Sequence, residues 1–164
     1  MPSNVNTDET TIINKILAAL RSIAGFGEAN AFLCAIPLFL EDPPSDVYLE
    51  LVPGAAMEKA AKQGTGWVED SFTVCVFKRL FRDQDGRDTA RIADASAGLL
   101  KTVAAVDAKL TANYLSGLAL VPILPERRDA GERNPQDPAD GWIMVKRSFK
   151  VEYLYAFPSP QSTS

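Results

Sequence analysis

The chain contains no histidine. That absence excludes every histidine-dependent catalytic triad and every histidine-ligated metal site. It has only two cysteines, Cys34 and Cys75, both in apolar, strand-like runs. They could pair only if their strands were neighbours. The reading adopted is of buried free thiols that act as small hydrophobes. No residues near them have metal-ligand spacing, so neither a metal nor an organic cofactor is expected. No run of 18 apolar residues is present, so no membrane span is expected. Met1 to Thr10 lacks the basic and apolar regions of a secretory signal, which suggests a chain made in the cytoplasm. Net charge is only −4, so the chain as a whole lacks the basic balance of a nucleic-acid binder.

The composition is that of a globular domain. The 164 residues are 46% hydrophobic and 23% charged, enough for one domain (1–164) with a real core. Residues 1–6 and 158–164 read as loose termini.

Ile12, Ile13, Ile16, Leu17, Leu20 and Ile23 recur at helical spacing, which predicts a helix from about Thr7 to Ile23. Asn6 or Thr7 can cap it, and Gly25 and Gly27 stop it. Ala31 to Leu40 reads as a strand. Asp46 to Val52 alternates and closes at Pro53-Gly54. Residues 54–66 read as a loop with a helical turn at Ala55 to Lys62.

Trp67 to Phe81 is a third strand. A second helix, capped by Asp88, runs to about Ala112. Leu118 to Leu124 is a short strand. Pro125 to Gly141 carries five acidic and three basic residues with three prolines, and is expected to be a mobile loop. Ile143 to Phe157 is the last strand. The order α-β-β-β-α-β-β predicts an α+β fold, mainly an antiparallel sheet packed by two helices.

Candidate chemical motifs have weak spacing. Asp83, Asp85 and Asp94 fall at calcium-loop offsets. But Asp88 stands where the loop needs glycine, and Arg87 would repel the cation, so a turn is expected. Gly64-Thr65-Gly66 has no flanking strand and helix to make a dinucleotide fingerprint. Lys78, Arg79, Arg82, Arg87 and Arg91 cluster, but Asp83, Asp85 and Asp88 interleave with them, as on a solvated face. Ser71 and Ser96 have no imidazole partner. No catalytic residue is assigned.

The strands from Trp67 to Phe81 and from Ile143 to Phe157 are long for so small a domain. Either they bend over the core or their ends project and pair with another chain. The last strand sets Phe149, Val151, Tyr153 and Tyr155 on one face, and these are expected to form a subunit contact. Arg127 and Arg128 in the loop, with Arg79 on the third strand, complete the candidate contact set.

The element order carries a resemblance. An amphipathic helix comes first, then strands near Pro53-Gly54. A long strand follows with Phe72, Val74, Val76, Lys78 and Arg79, then a helix, then a final strand with Phe149-Lys150-Val151-Glu152-Tyr153. From about Thr10 to Phe157 this resembles the tail terminator, or tail-completion, proteins of long-tailed bacteriophages and the related neck proteins. The likeness lies in element order and texture.

The resemblance implies a structural, non-enzymatic virion protein that assembles in the host cytoplasm as a homo-hexameric ring. The ring would cap the tail tube, stop its polymerisation and meet the head connector. DNA would only pass through its lumen. Two other readings stay open. One is another virion subunit, such as a head–tail connector or tube protein. The other is a small enzyme or ligand-binding domain with a pocket between helices and sheet.

Overall fold

The computed structural model describes residues 6–62, 65–80, 92–95 and 98–155. The turn from Asp83 to Asp88, Arg82, Arg91, Ser96, Gly64 and both terminal segments (1–5 and 158–164) lie outside the described residues. The elements are α1 (Glu9–Arg21), β1 (Ala31–Leu33), β2 (Val47–Lys62), β3 (Thr65–Arg79), α2 (Leu99–Leu110), β4 (Leu124–Arg128), β5 (Glu132–Arg133) and β6 (Trp142–Tyr155). The fold is α+β, a mostly antiparallel six-stranded sheet with two helices.

Helix α1 forms because its apolar residues return every three or four positions. Ile12, Ile13, Ile16, Leu17 and Leu20 are all buried. Its N-cap is Asp8, where Asn6 or Thr7 was expected. The Asp8 carboxylate accepts the Thr11 backbone N–H at 2.7 Å, one of the donors a helix start leaves free. At the other end the Arg21 guanidinium donates to the Ala31 carbonyl through Nε at 3.1 Å and Nη2 at 3.0 Å. That fork fixes β1 to the end of the helix. Helix α2 runs from Leu99 behind Gly98 and buries Leu99, Val103, Val106 and Leu110, while the helix start expected at Asp88 lies outside the described residues. Arg147 of β6 reaches up to Asp107 of α2 at 2.7 Å, tying this helix to the sheet.

The strand order is β1-β2-β3-β6-β4, with β5 also on β6. β3 is central and pairs with β6 from Gly66 opposite Tyr155 to Arg79 opposite Trp142. On its other side β3 pairs with β2 from Val47 opposite Lys78 to Lys62 opposite Thr65. At about 3.3 Å per residue, β2 and β3 each extend about 50 Å. Among the described residues only β1 lies on the outer edge of β2, parallel to it and opposite Leu49, Glu50 and Leu51.

Each face of the sheet has its own apolar cluster. On one face α1 and α2 cover Leu49, Leu51, Phe72, Val74, Val76, Phe149 and Val151. On the other, Tyr48, Cys75, Phe77, Trp142 and Met144 are covered by Phe39 and Leu40 of the segment 34–46. Tyr48 stacks on Phe77 at 4.3 Å between ring centroids, and Phe39 meets Phe77 edge-on at 5.0 Å.

That second cluster explains why the strand expected over Ala31 to Leu40 stops at Leu33. The chain leaves the edge after Cys34, whose N–H donates to the Leu51 carbonyl at 2.9 Å. Buried side chains then take over its backbone. Glu50 Oε1 accepts the Leu38 N–H at 2.8 Å, and the Tyr48 hydroxyl accepts the Leu40 N–H at 3.0 Å.

Two further expectations change. Pro53-Gly54 does not end a strand, and no helical turn follows. β2 continues through both to Lys62. The register slips between Pro53 opposite Phe72 and Ala56 opposite Asp70, so two residues of β2 oppose Ser71 alone. This is a β-bulge, and full-length pairing with β3 overrides the helix preference of the alanines.

The 125–141 segment, expected to be mobile, is tied along the outer edge of β6. β4 and β5 pair there, and the Asp129 N–H donates to the Lys146 carbonyl at 2.9 Å. Asn134 donates to Asp140 Oδ2 at 2.8 Å, and Asp140 Oδ1 accepts the Trp142 N–H at 2.8 Å. These side chains satisfy the backbone of a polar segment that buries little. The strand expected over Leu118 to Leu124 reduces to one bridge, Ala119 to Tyr153, before β4 begins at Leu124.

The bulge requires glycine. A Cβ on Gly54 would stand 2.7 Å from the Ser71 carbonyl oxygen, and backbone cannot swing aside. Gly54→Ala is expected to destabilise the chain by about 1–3 kcal/mol, the usual range for overpacking. Chemical denaturation of the two proteins measures this. An unchanged midpoint would show that the bulge tolerates a side chain.

Candidate assembly interface

The residues proposed from the last strand do not form a surface. Phe149 and Val151 are 0% exposed and Tyr153 is 1% exposed. All three point to the helix face, in one cluster with Ile16, Leu20 and Val106. Tyr155 is half-buried against the same cluster. The apolar face that needed covering is covered by the chain's own α1 and α2. Its alternation was read correctly as burial but assigned to the wrong partner. Arg127 and Arg128 lie exposed on β4. Arg127 pairs with Asp129, and the Asp129 charge, through the hydrogen bond first, holds the Arg127 guanidinium above its ordinary range.

Arg79 ends β3 beside a cleft of about 750 Å³ between the 39–46 segment and the Asn134–Trp142 turn. Glu41, Asp42, Asp46, Asp137 and Asp140 line the cleft with Arg79. The structure therefore separates Arg79 from Arg127 and Arg128 rather than bringing them together.

The far half of the sheet is different in character. Beyond Val52, β2 has no strand on its outer edge among the described residues. Gly54, Ala55, Ala56, Met57 and Glu58 are all exposed. At the opposite edge every residue of β4 is exposed, and no described strand lies beyond it. A free sheet edge presents unpaired N–H and C=O groups and is a template for pairing with another chain. Sequence reasoning missed this pair of edges. The alternating partner strand Trp67 to Phe81 was the available signal, since a 15-residue strand needs a neighbour of equal length.

On the face away from the helices the upper sheet is polar. Lys150 Nζ lies 2.9 Å from Glu69 Oε1 and 3.4 Å from Glu126 Oε1, and Lys59 reaches Glu69 Oε2 at 3.4 Å. This chain of charges spans β2, β3, β6 and β4. The hydrogen bond from Lys150, with Lys59 adding to it, pulls the Glu69 carboxyl below its usual range.

Burial, with the charge of Glu50 adding to it, pushes the thiol of Cys34 up to about 11 and that of Cys75 up to about 12. Both are free cysteines, and burial disfavours the thiolate form of each. Among the described residues no group of three or more metal-binding side chains converges. No helix among them is long and apolar enough to cross a membrane.

Two carboxyls are buried, one on each face. Glu50 is 0% exposed, and its Oε2 has no hydrogen-bond partner. Burial pushes its titration up, against the Leu38 N–H, which holds it down. Asp70 is 1% exposed under the helix face. The Tyr153 hydroxyl donates to its Oδ2 at 3.4 Å, and Oδ1 has no partner.

No protein-family model matches the chain, and no curated protein matches its sequence. Among solved structures, the fold is similar to that of a chain in the virion of a native gene transfer agent (GTA) particle. The two superpose with a TM-score of 0.55 and are 17% identical. The match covers 87% of this chain and 94% of that one. At that identity the likeness is one of fold.

Asp70 makes the stability of this fold pH-dependent. Burial, reinforced by the charge of Glu9, pushes its carboxyl up to about 6, from 3.8 in an ordinary setting. Between pH 4 and pH 6 the folded chain therefore holds a proton that the unfolded chain has released. Stability from this group falls as pH rises through that window and stays low above it. Asp70→Asn is expected to raise stability at pH 7 by about 2–3 kcal/mol and to flatten the profile between pH 4 and 6. Thermal melts at stepped pH measure both. A variant less stable than the parent at pH 7 would mean the ionised carboxylate is needed.

Proposed function

We propose that the chain is a structural, non-enzymatic subunit of a phage-type virion. Within it, the chain would close as a hexameric ring on the end of the tail tube. It would stop tube growth there and form the surface that meets the head connector. DNA would cross the lumen without being gripped, and the subunit would be made and assembled in the host cytoplasm. The observation that carries this reading is the fold shared with a GTA virion chain over nearly the full length of both chains. A match of that extent pairs whole subunits rather than a common fragment.

The physical character of the chain supports the same reading. Its two buried acids and the buried thiol of Cys75 sit in packing positions in the sheet. Its conspicuous exposed features are two free strand edges, which suit assembly better than turnover. A role as a connector or a tube subunit shares that fold evidence, and the experiment separates the three.

Removing the gene from the producing phage or particle is expected to give tails of uncontrolled length that lack heads. The purified chain, imaged by negative stain, is expected to form rings with the mass of six 17.8-kDa chains. Tails of normal length in the deletion would sink the tail-capping role. Long tubes from the purified chain would instead identify a tube subunit.

A further inference from the structure

We propose that consecutive copies join edge to edge, with β4 of one copy lying antiparallel along the open half of β2 in the next. This rests on the reading of the chain as a self-assembling virion subunit and names the surface that would do it.

The argument begins with strand direction. β2 and β3 are antiparallel, as are β3 and β6, and β6 and β4. Directions across the sheet therefore alternate up, down, up, down from β2 to β4. The next strand in that series must run up, and β2 of a second copy in the same orientation does so. Both copies then keep their helices on one side of a continued sheet. A contact between different edges is head-to-tail, and it makes a ring when the rotation between copies closes.

Register follows from the side chains. Met57 pairs with Glu69 on β3, and Leu124 pairs with Lys150 on β6, which itself faces Ser71. Glu69 and Ser71 are two apart on one strand, so Met57 and Leu124 share the face away from the helices. They are 58% and 52% exposed, and they are the large exposed hydrophobics of these two edges. Placing Leu124 opposite Met57 sets Pro125 against Ala56 and, because β4 slips register at Glu126, Arg127 against Ala55 and Arg128 against Gly54. The whole of β4 then falls just past Leu51, where the pairing of β1 ends.

The small side chains of Ala55, Ala56 and Gly54 leave room for the long side chains of Arg127 and Arg128. Pro125 and the two arginines also blunt β4 against indiscriminate pairing, so the edge is selective for this partner.

The test is a disulfide trap in the full-length chain. Directly opposed residues on antiparallel strands have Cβ atoms about 4.5–5.5 Å apart, close enough for a disulfide after slight adjustment. Met57→Cys with Leu124→Cys is expected to give, on mild oxidation, a ladder of covalent multimers in non-reducing gels. Reduction should collapse it to monomer. Each single variant should stop at dimer. Glu58→Cys with Leu124→Cys, on opposite faces, should give no ladder. Rings in the microscope without the ladder would overturn the edge pairing and leave the ring reading standing. A chain that stays monomeric at every concentration would overturn both.

Discussion

Everything in this chain depends on β3 being paired on both sides along its full length. β2 and β6 flank it from Thr65 to Arg79, which makes a three-stranded ribbon far longer than the rest of the domain. A ribbon of that length twists, and its two faces cannot both be covered by two helices of 13 and 12 residues. The helices therefore take one face. The segment 34–46 covers the lower part of the other, and the upper part is left to lysine, glutamate and serine. The second small core, the strap over it and the charged upper surface all follow from the length of this pairing.

The same constraint explains which edges are closed and which are open. β6 has its outer edge filled in turn by the Ala119 bridge, by β4, by Asp129 and by β5. Among the described residues, the strand on the outer edge of β2 is the three-residue β1. The helix α1 sets that limit. Arg21 anchors the start of β1, and the chain must then turn away to cover Tyr48 and Phe77. Covering the second face and covering the edge of β2 compete for the same short stretch of chain. The structure resolves the competition in favour of the aromatic cluster. Burying Tyr48 and Phe77 gains more than the few edge hydrogen bonds that water can also satisfy.

The helices and the central strands were legible in the sequence because their periodicities are strong. Ile12 to Leu20 and Phe72 to Val76 each follow one period without interruption. The exchange of partners was not legible. The residues Phe149, Val151 and Tyr153 demanded burial, but a strand pattern does not say whether a helix of the same chain or a second copy supplies it. α1 supplies it, from more than a hundred residues away in sequence. The stretch Ala55-Ala56-Met57-Glu58-Lys59 reads as helix by intrinsic preference and folds as strand because β3 offers a ladder along its whole length. Pro53-Gly54 reads as an ending and acts as a bulge, since the sequence does not reveal that Ser71 approaches so closely. Met57, the exposed apolar residue of that edge, was hidden by the same misreading.

The two buried carboxyls show where the fold tolerates expense. Glu50 and Asp70 lie on opposite faces, each with one oxygen bonded and the other without a partner. Glu50 holds the strap to the sheet through the Leu38 N–H, so its burial is coupled to the covering of the second core. Asp70 sits opposite Ala56, at the point where the bulge ends and the open edge of β2 begins. On the helix face it contributes little to packing that a neutral side chain would not supply. The glycine bulge and a buried acid with one partnerless oxygen therefore meet at the boundary between the packed half of the sheet and its open half. Ser71 leaves no room for a side chain at Gly54, and Asp70 buries a partnerless oxygen beside Tyr153 of the main core, so both carry a cost at that boundary. In the proposed edge-to-edge assembly the same boundary is where the contact with a neighbour's β4 would lie, so the cost falls beside the joint.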